Sequence, residues 1–180
     1  MKTTRALLAA SVWVAATPAT IGSAGPAYAD PPVGPCDPQQ LTVTADGRQS
    51  GLGHRSVWLN FTLQPGAGAC QLSGYPTVDA EVLADGAASI QAKQTPSGYM
   101  AAPVPVTAVT LDPDHGAHAI LEWVGNVPRP DCSTYEGPRT DARLQVTPPG
   151  MSQTFTVPIS IGRNEGLCYL QVHPLTGDST

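Results

Sequence analysis

Between Leu41 and Val172 apolar and polar residues alternate in short runs, and glycine, proline and aspartate separate the runs. Val57, Leu59, Phe61 and Leu63 occupy every second position, with Trp58, Asn60 and Thr62 between them. Side chains of a strand point alternately to its two faces, so this spacing predicts a strand whose apolar side meets a core and whose Trp58 side faces away. The same period recurs in Val78, Ala80 and Val82, in Ala117, Ala119, Leu121 and Trp123, and in Phe155, Val157, Ile159 and Ile161. Pro158, inside the last run, lacks a ladder donor and marks an edge strand or a bulge. Shorter runs at Leu41 to Thr44, Ala88 to Ala92, Val104 to Leu111, Ala142 to Val146 and Cys168 to Val172 complete the set. Asp46-Gly47, Asp85-Gly86 and Asp112 to Gly116 read as turns, the second closing a hairpin. Gln94 to Pro105 and Val124 to Pro138 read as loops. Eight or nine short strands without a convincing helix predict an all-β domain, an antiparallel β-sandwich of immunoglobulin-like type.

The N-terminus follows a different pattern. Lys2 and Arg5 form a basic start, Ala6 to Ala16 is apolar and small, and Ala27-Tyr28-Ala29 is a small-x-small site, so a signal peptide cleaved after Ala29 is expected. Its apolar core is shorter than the roughly 20 residues a membrane span needs, so no transmembrane anchor is expected in the mature chain. Pro35 directly before Cys36 does not suit a lipid-modification site. The expected organisation is signal peptide 1–29, Pro-rich leader 30–35, a single domain 36–175 and a flexible tail 176–180, in a secreted, extracytoplasmic or cell-envelope protein. Loss of Lys2 and Arg5 leaves seven basic against fourteen acidic residues and moves the net charge from −5 to −7. The remaining basic residues are scattered singly, which argues against a nucleic-acid partner.

Cys36, Cys70, Cys132 and Cys168 are separated by 34, 62 and 36 positions. Structural zinc is usually held by close cysteine pairs, so two disulfides fit this spacing better. Of three possible connectivities the nearest-neighbour one, Cys36 with Cys70 and Cys132 with Cys168, is expected.

Cys70-Gln71-Leu72-Ser73-Gly74-Tyr75-Pro76 is the most specific stretch. With Leu111-Asp112-Pro113, Trp123, Cys132, Leu144 to Pro149 and Cys168 in this order, the chain resembles the secreted actinobacterial family named domain of unknown function 4232, over essentially the whole mature length. The resemblance implies an exported or envelope-associated β-sandwich with two disulfides, and no activity or catalytic residue to carry over. Asp114-His115 departs from the simpler Pro-Gly turn usual in such domains.

Candidate chemistry is sparse. Gly74 suits a positive φ, Pro76 extends Tyr75, and Tyr75 is expected to cap one end of the sandwich or to touch a ligand. His115 and His118, three apart, fall on opposite faces of a strand and make a poor metal pair. Asp112, Asp114 and Asp131 do not form an ordered calcium loop, and no metal or cofactor is expected. No G-x-S-x-G elbow occurs. Asn60-Phe61-Thr62 is a glycosylation sequon placed in mid-strand. Trp58 and Tyr99 are the candidate ligand contacts, Trp58 from the face away from the core and Tyr99 from the Gln94 to Pro105 loop, while Trp123 belongs to the core. The expected function is therefore a non-catalytic binding or interaction module with an envelope protein or glycan as partner. The alternative is a secreted hydrolase with a dispersed, motif-free active site.

Overall fold

The computed structural model describes residues 32–82, 89–125, 140–162 and 166–178, and within them the structure is β apart from one short helical turn at Pro38–Gln40. Twelve strands are present among these residues. They are β1 (Leu41–Gly51), β2 (His54–Leu63), β3 (Cys70–Ser73), β4 (Thr77–Val82), β5 (Ser89–Gln91) and β6 (Lys93–Gln94). The others are β7 (Ala108–Leu111), β8 (Ala117–Val124), β9 (Thr140–Thr147), β10 (Phe155–Ile161), β11 (Cys168–Val172) and β12 (Thr176–Gly177). The first sheet has the order β1-β2-β8-β11-β6, with β12 also paired to β8; a second runs β10-β9-β4-β5, and β3 pairs β7 alone.

The alternating runs fall where their period puts them. Val57, Leu59 and Phe61 of β2 and Ala117, Ala119, Leu121 and Trp123 of β8 are buried, and they join Val78, Ala80, Leu144, Val146 and Val157 of the second sheet in one core. Full burial of Phe61 is worth on the order of 3–5 kcal/mol against alanine, counting the cavity left behind. Pro158 sits on β10, an edge strand, as its missing donor requires.

Three expectations are corrected. The strand count rises because β3, β6 and β12 have four, two and two residues, too few to leave a period in the sequence. The pairing is not wholly antiparallel, since β6 runs parallel to β11. Asp46-Gly47 does not turn the chain: β1 continues to Gly51, and the register shifts between Asp46 and Gln49. Gly47 has φ of 62°, a conformation that serves a bulge as well as a turn. The real turn is Leu52-Gly53, two residues joining the Gly51–His54 pair, with φ of 45° and 85°. Positive φ at both positions is the type I′ pattern that favours Asn-Gly, and a leucine there costs on the order of 1 kcal/mol.

Cys36 and Cys70 form a disulfide across 34 positions, which ties the start of the domain to β3. On the chain-entropy model a loop of this length is worth roughly 4 kcal/mol. Cys168 carries no free thiol; Cys132, its expected partner, lies outside the described residues, as does the Val124 to Pro138 loop beyond Gly125. Ordered pairing reaches past Leu175, because Thr176 and Gly177 pair with His118 and Ala117 of β8. No helix among the described residues is long and apolar enough to cross a membrane.

Candidate functional site on the outer face of the first sheet

The residues of β2 and β8 that alternate with the core set form the outer face of the first sheet. Here Ser56 pairs with Glu122, Trp58 with Ile120 and Asn60 with His118. Half of this face is covered. The chain from Thr95 to Val104 crosses it, and Ser56, Glu122 and His173 lie beneath as the buried polar residues of the domain among those described.

Glu122 holds the covering loop down. Its Oε1 accepts the Tyr99 backbone N–H at 3.0 Å and faces His54 Nδ1 at 2.8 Å, while Oε2 accepts the Met100 N–H at 2.9 Å. A carboxylate only accepts, so His54 must carry its proton on Nδ1. The start of the loop is tied separately: Thr95 N–H donates to Val172 O at 3.0 Å, and the Thr95 hydroxyl donates to Gln171 Oε1 at 3.2 Å. His173 Nδ1 lies 3.1 Å from the Thr95 carbonyl, which can only accept, so this nitrogen is protonated too. His173 Nε2 has no hydrogen-bond partner and faces Glu122 Oε2 from 3.5 Å. The close approach requires Gly98, because a Cβ there would overlap the Glu122 carboxylate and the His173 ring.

This latch orders Tyr99. The ring stacks on His54 with centroids 4.2 Å apart, and it remains 54% exposed. An aromatic side chain whose backbone and ring are already fixed loses little conformational entropy when it meets a partner.

The uncovered half of the face centres on Trp58. Its ring stacks on His118 of β8, centroids 5.0 Å apart, and the Gly47 bulge of β1 comes against it from the other neighbouring strand. The flat faces are therefore flanked, and Trp58 offers an edge and 38% of its surface rather than an open platform. Beside it is an open recess of about 360 Å³ lined by Thr44, Asp46, Trp58, Asn60, Thr62 and Asp178, with the Gly116–Ala117 backbone as its floor. Asp178 is fixed there by Gly116 N–H at 2.9 Å and lies 3.4 Å from His118 Nδ1. A second recess of about 180 Å³, more apolar, lies between the loop and β8, against Ala101, Val104, His118, Ile120 and His173.

The structure therefore places Trp58 and Tyr99 on one face. Tyr75 is elsewhere, half-buried in the turn between β3 and β4, where Gly74 has φ of 113°. Its hydroxyl makes no hydrogen bond to a described residue. His115 and Asp112 form a turn pair: Asp112 Oδ1 accepts the Asp114 and His115 N–H groups at 2.9 Å and meets His115 Nδ1 at 2.9 Å. The Asp114 N–H, followed by the His115 ring, holds Asp112 below the ordinary aspartate range, and the hydrogen bond to Asp112 raises His115. Asp131 lies outside the described residues, and among those described no three His, Cys, Asp or Glu are grouped to hold a metal.

Residues 36–176 match the family model described as Domain of unknown function (DUF4232). No curated protein and no solved structure matches the chain.

Proposed function

The chain belongs to the DUF4232 family, a domain of unknown function, and on that premise we propose that it is an exported, non-catalytic binding module of the cell envelope or extracellular space, built on an immunoglobulin-like scaffold. The observation that carries this reading is the recess beside Trp58. Its lining of aspartate, asparagine and threonine side chains, set against an aromatic edge and without a lysine or arginine, suits a neutral, hydroxyl-rich ligand such as an envelope glycan. The signal-like N-terminus supports export, and the fixed, exposed Tyr99 supports recognition by a surface loop.

Mature protein titrated with soluble cell-wall glycan fragments should report binding through tryptophan fluorescence, because Trp58 is partly exposed and Trp123 is buried. Trp58→Ala and Asn60→Ala should weaken binding at least tenfold. A wild-type protein that binds no fragment would sink the reading.

The alternative is a secreted hydrolase, and the observation favouring it is that Ser56, Glu122 and His173 lie buried together beneath one loop. The hydrogen bonds that Glu122 accepts from the Tyr99 and Met100 N–H groups of that loop favour the binding reading. Covalent labelling of Ser56 by a serine-reactive fluorophosphonate probe would reverse the preference.

A further inference from the structure

We infer that docking of the Thr95 to Val104 loop is coupled to uptake of one proton by the buried His173–Glu122 pair, so that the loop closes in mild acid and loosens as pH rises. The inference does not depend on the Trp58 recess or on what binds there. Both ring nitrogens of His173 face oxygens that only accept. Nδ1 lies 3.1 Å from the Thr95 carbonyl and Nε2 lies 3.5 Å from Glu122 Oε2. The Thr95 hydroxyl, 3.4 Å from Nδ1, gives its proton to Gln171 Oε1 and so brings Nδ1 no donor. A neutral imidazole has one N–H, and either tautomer therefore turns a lone pair on one of the two oxygens. The imidazolium, with a donor on each nitrogen, suits both.

The surroundings point the same way. Nε2 is buried without a partner, in a residue 2% exposed, and Glu122 is 4% exposed. Gly98 is packed over the gap so closely that a Cβ there would come 2.9 Å from His173 Nε2 and overlap Glu122 Oε2. A proton on Nε2 satisfies that nitrogen without any further atom, gives the buried carboxylate an opposite charge, and allows the contact to shorten to roughly 2.8 Å. It also joins the two halves of the latch, since Glu122 holds the Tyr99 and Met100 N–H groups while His173 holds the Thr95 carbonyl where the loop begins.

Other ionisable groups surround the pair. His118 of β8 lines the same recess of about 180 Å³ as His173, but it is engaged by Thr176 and faces Asp178. On β2, His54 meets the other oxygen of Glu122, and Arg55 donates to the His54 carbonyl. Lys93 of β6 is exposed and pairs with Gln171, and the loop itself carries no charged side chain, only the Tyr99 phenol. His54 is therefore the group whose titration has to be told apart from that of His173. The closed form holds one proton more than the open form, so closure weakens as pH rises, by up to about tenfold in the opening equilibrium per pH unit. Ala101 and Val104 of the loop wall the recess and Tyr99 rides on the loop, so this proton governs both the width of the recess and the presentation of the ring.

The test follows the mature protein from about pH 5.5 to about pH 8.5, a span that brackets ordinary imidazole titration. Side-chain 1H–15N spectra should show His173 protonated on both nitrogens at the acid end. Amide exchange, corrected for its intrinsic dependence on pH, should show protection at Tyr99 and Met100 falling by up to about tenfold per pH unit while Leu121 and Val172 stay protected. His173→Gln, which carries no charge, should flatten this dependence, whereas His54→Asn, which keeps a donor toward Glu122, should preserve it. A His173 ring protonated on one nitrogen at every pH, protection that does not change with pH, or a dependence that survives in His173→Gln would overturn the inference. A dependence that disappears in His54→Asn would overturn it in favour of His54. The wild-type spectra decide the matter even where a variant does not fold.

Discussion

Replacing Glu122 by glutamine tests the latch with almost no change of shape. The carboxylate presents two acceptor oxygens to three donors: His54 Nδ1 and the N–H groups of Tyr99 and Met100. Glutamine has one acceptor and one donor at the same positions. With its oxygen at the Oε1 site, Tyr99 and His54 keep an acceptor but the amide nitrogen confronts the Met100 N–H. Turned over, it serves Met100 and confronts Tyr99. Either orientation leaves one backbone N–H of the loop without an acceptor against the buried side chain at position 122, a cost of about 1–3 kcal/mol, and the surviving bonds lose their charge assistance. We expect about 3 kcal/mol in total, limited by the docking energy of the loop, which can lift and hydrate its own amides. Urea denaturation measures the global loss. Amide hydrogen exchange separates the two routes, since lifting should reduce protection at Tyr99 and Met100 by about 100-fold while Leu121 and Val172 stay protected. Tyr99→Ala is the control: it removes the ring but not the N–H, so that amide should remain protected. If Glu122→Gln lies within about 0.5 kcal/mol of wild type with both amides unchanged, the carboxylate does not hold the loop.

Gly98→Ala should reproduce the lifted loop, with a loss of about 1–3 kcal/mol from overpacking against Glu122 and His173. Combined with Glu122→Gln it should add little, and full additivity in denaturation would contradict a shared cause. Replacing Cys36 and Cys70 together by serine should cost about 4 kcal/mol, read as a lower urea midpoint, and a midpoint unaffected by loss of the bridge would refute the crosslink estimate. For the exposed turn pair, the raised His115 value means that its stabilising contribution is full below about pH 6.5 and fades as pH rises through the folded value, while the lowered Asp112 value means that its contribution fades as pH falls through that value. The pair is therefore strongest between about pH 4 and 6.5. An NMR titration of His115 should show a midpoint that drops in Asp112→Asn, since the hydrogen bond to Asp112 is the largest cause of the rise; an unchanged midpoint would exclude the pairing.

Strand faces were legible in the sequence because alternation is a local property: Val57, Leu59 and Phe61 need only their own spacing to declare a buried side. The Cys36–Cys70 bridge was legible from the cysteine spacing, and the positive φ of Gly74 from glycine itself standing before Tyr75-Pro76. Glu122 was not. It occupies an outward position of β8, where a carboxylate ordinarily meets water, and it becomes buried because a loop 23 positions earlier folds over it. Its other partner, His54, is 68 positions away, and nothing in the period of β2 distinguishes that histidine from a solvated one. Gly98, in a stretch of proline and serine, was the one local sign of a close approach, and it reads equally well as an ordinary loop residue. Asp46-Gly47 misled for a related reason: a left-handed glycine is required by a bulge and by a turn alike, and only the pairing of β1 with β2 decides between them. Trp58 was rightly turned outward, but its flanking by His118 and Gly47 depends on which strands border β2.

The two residues of β6 have an effect beyond their size. Lying parallel to Gln171 and Val172, they occupy the main-chain groups of β11 that would otherwise lie open along that border, and Pro158 removes an N–H from the border strand of the second sheet. Bare strand borders invite foreign chains to extend the ladder and so seed aggregates. With these stretches closed to strand addition, the domain avoids one route to polymerisation, and selectivity is left to the side chains it displays.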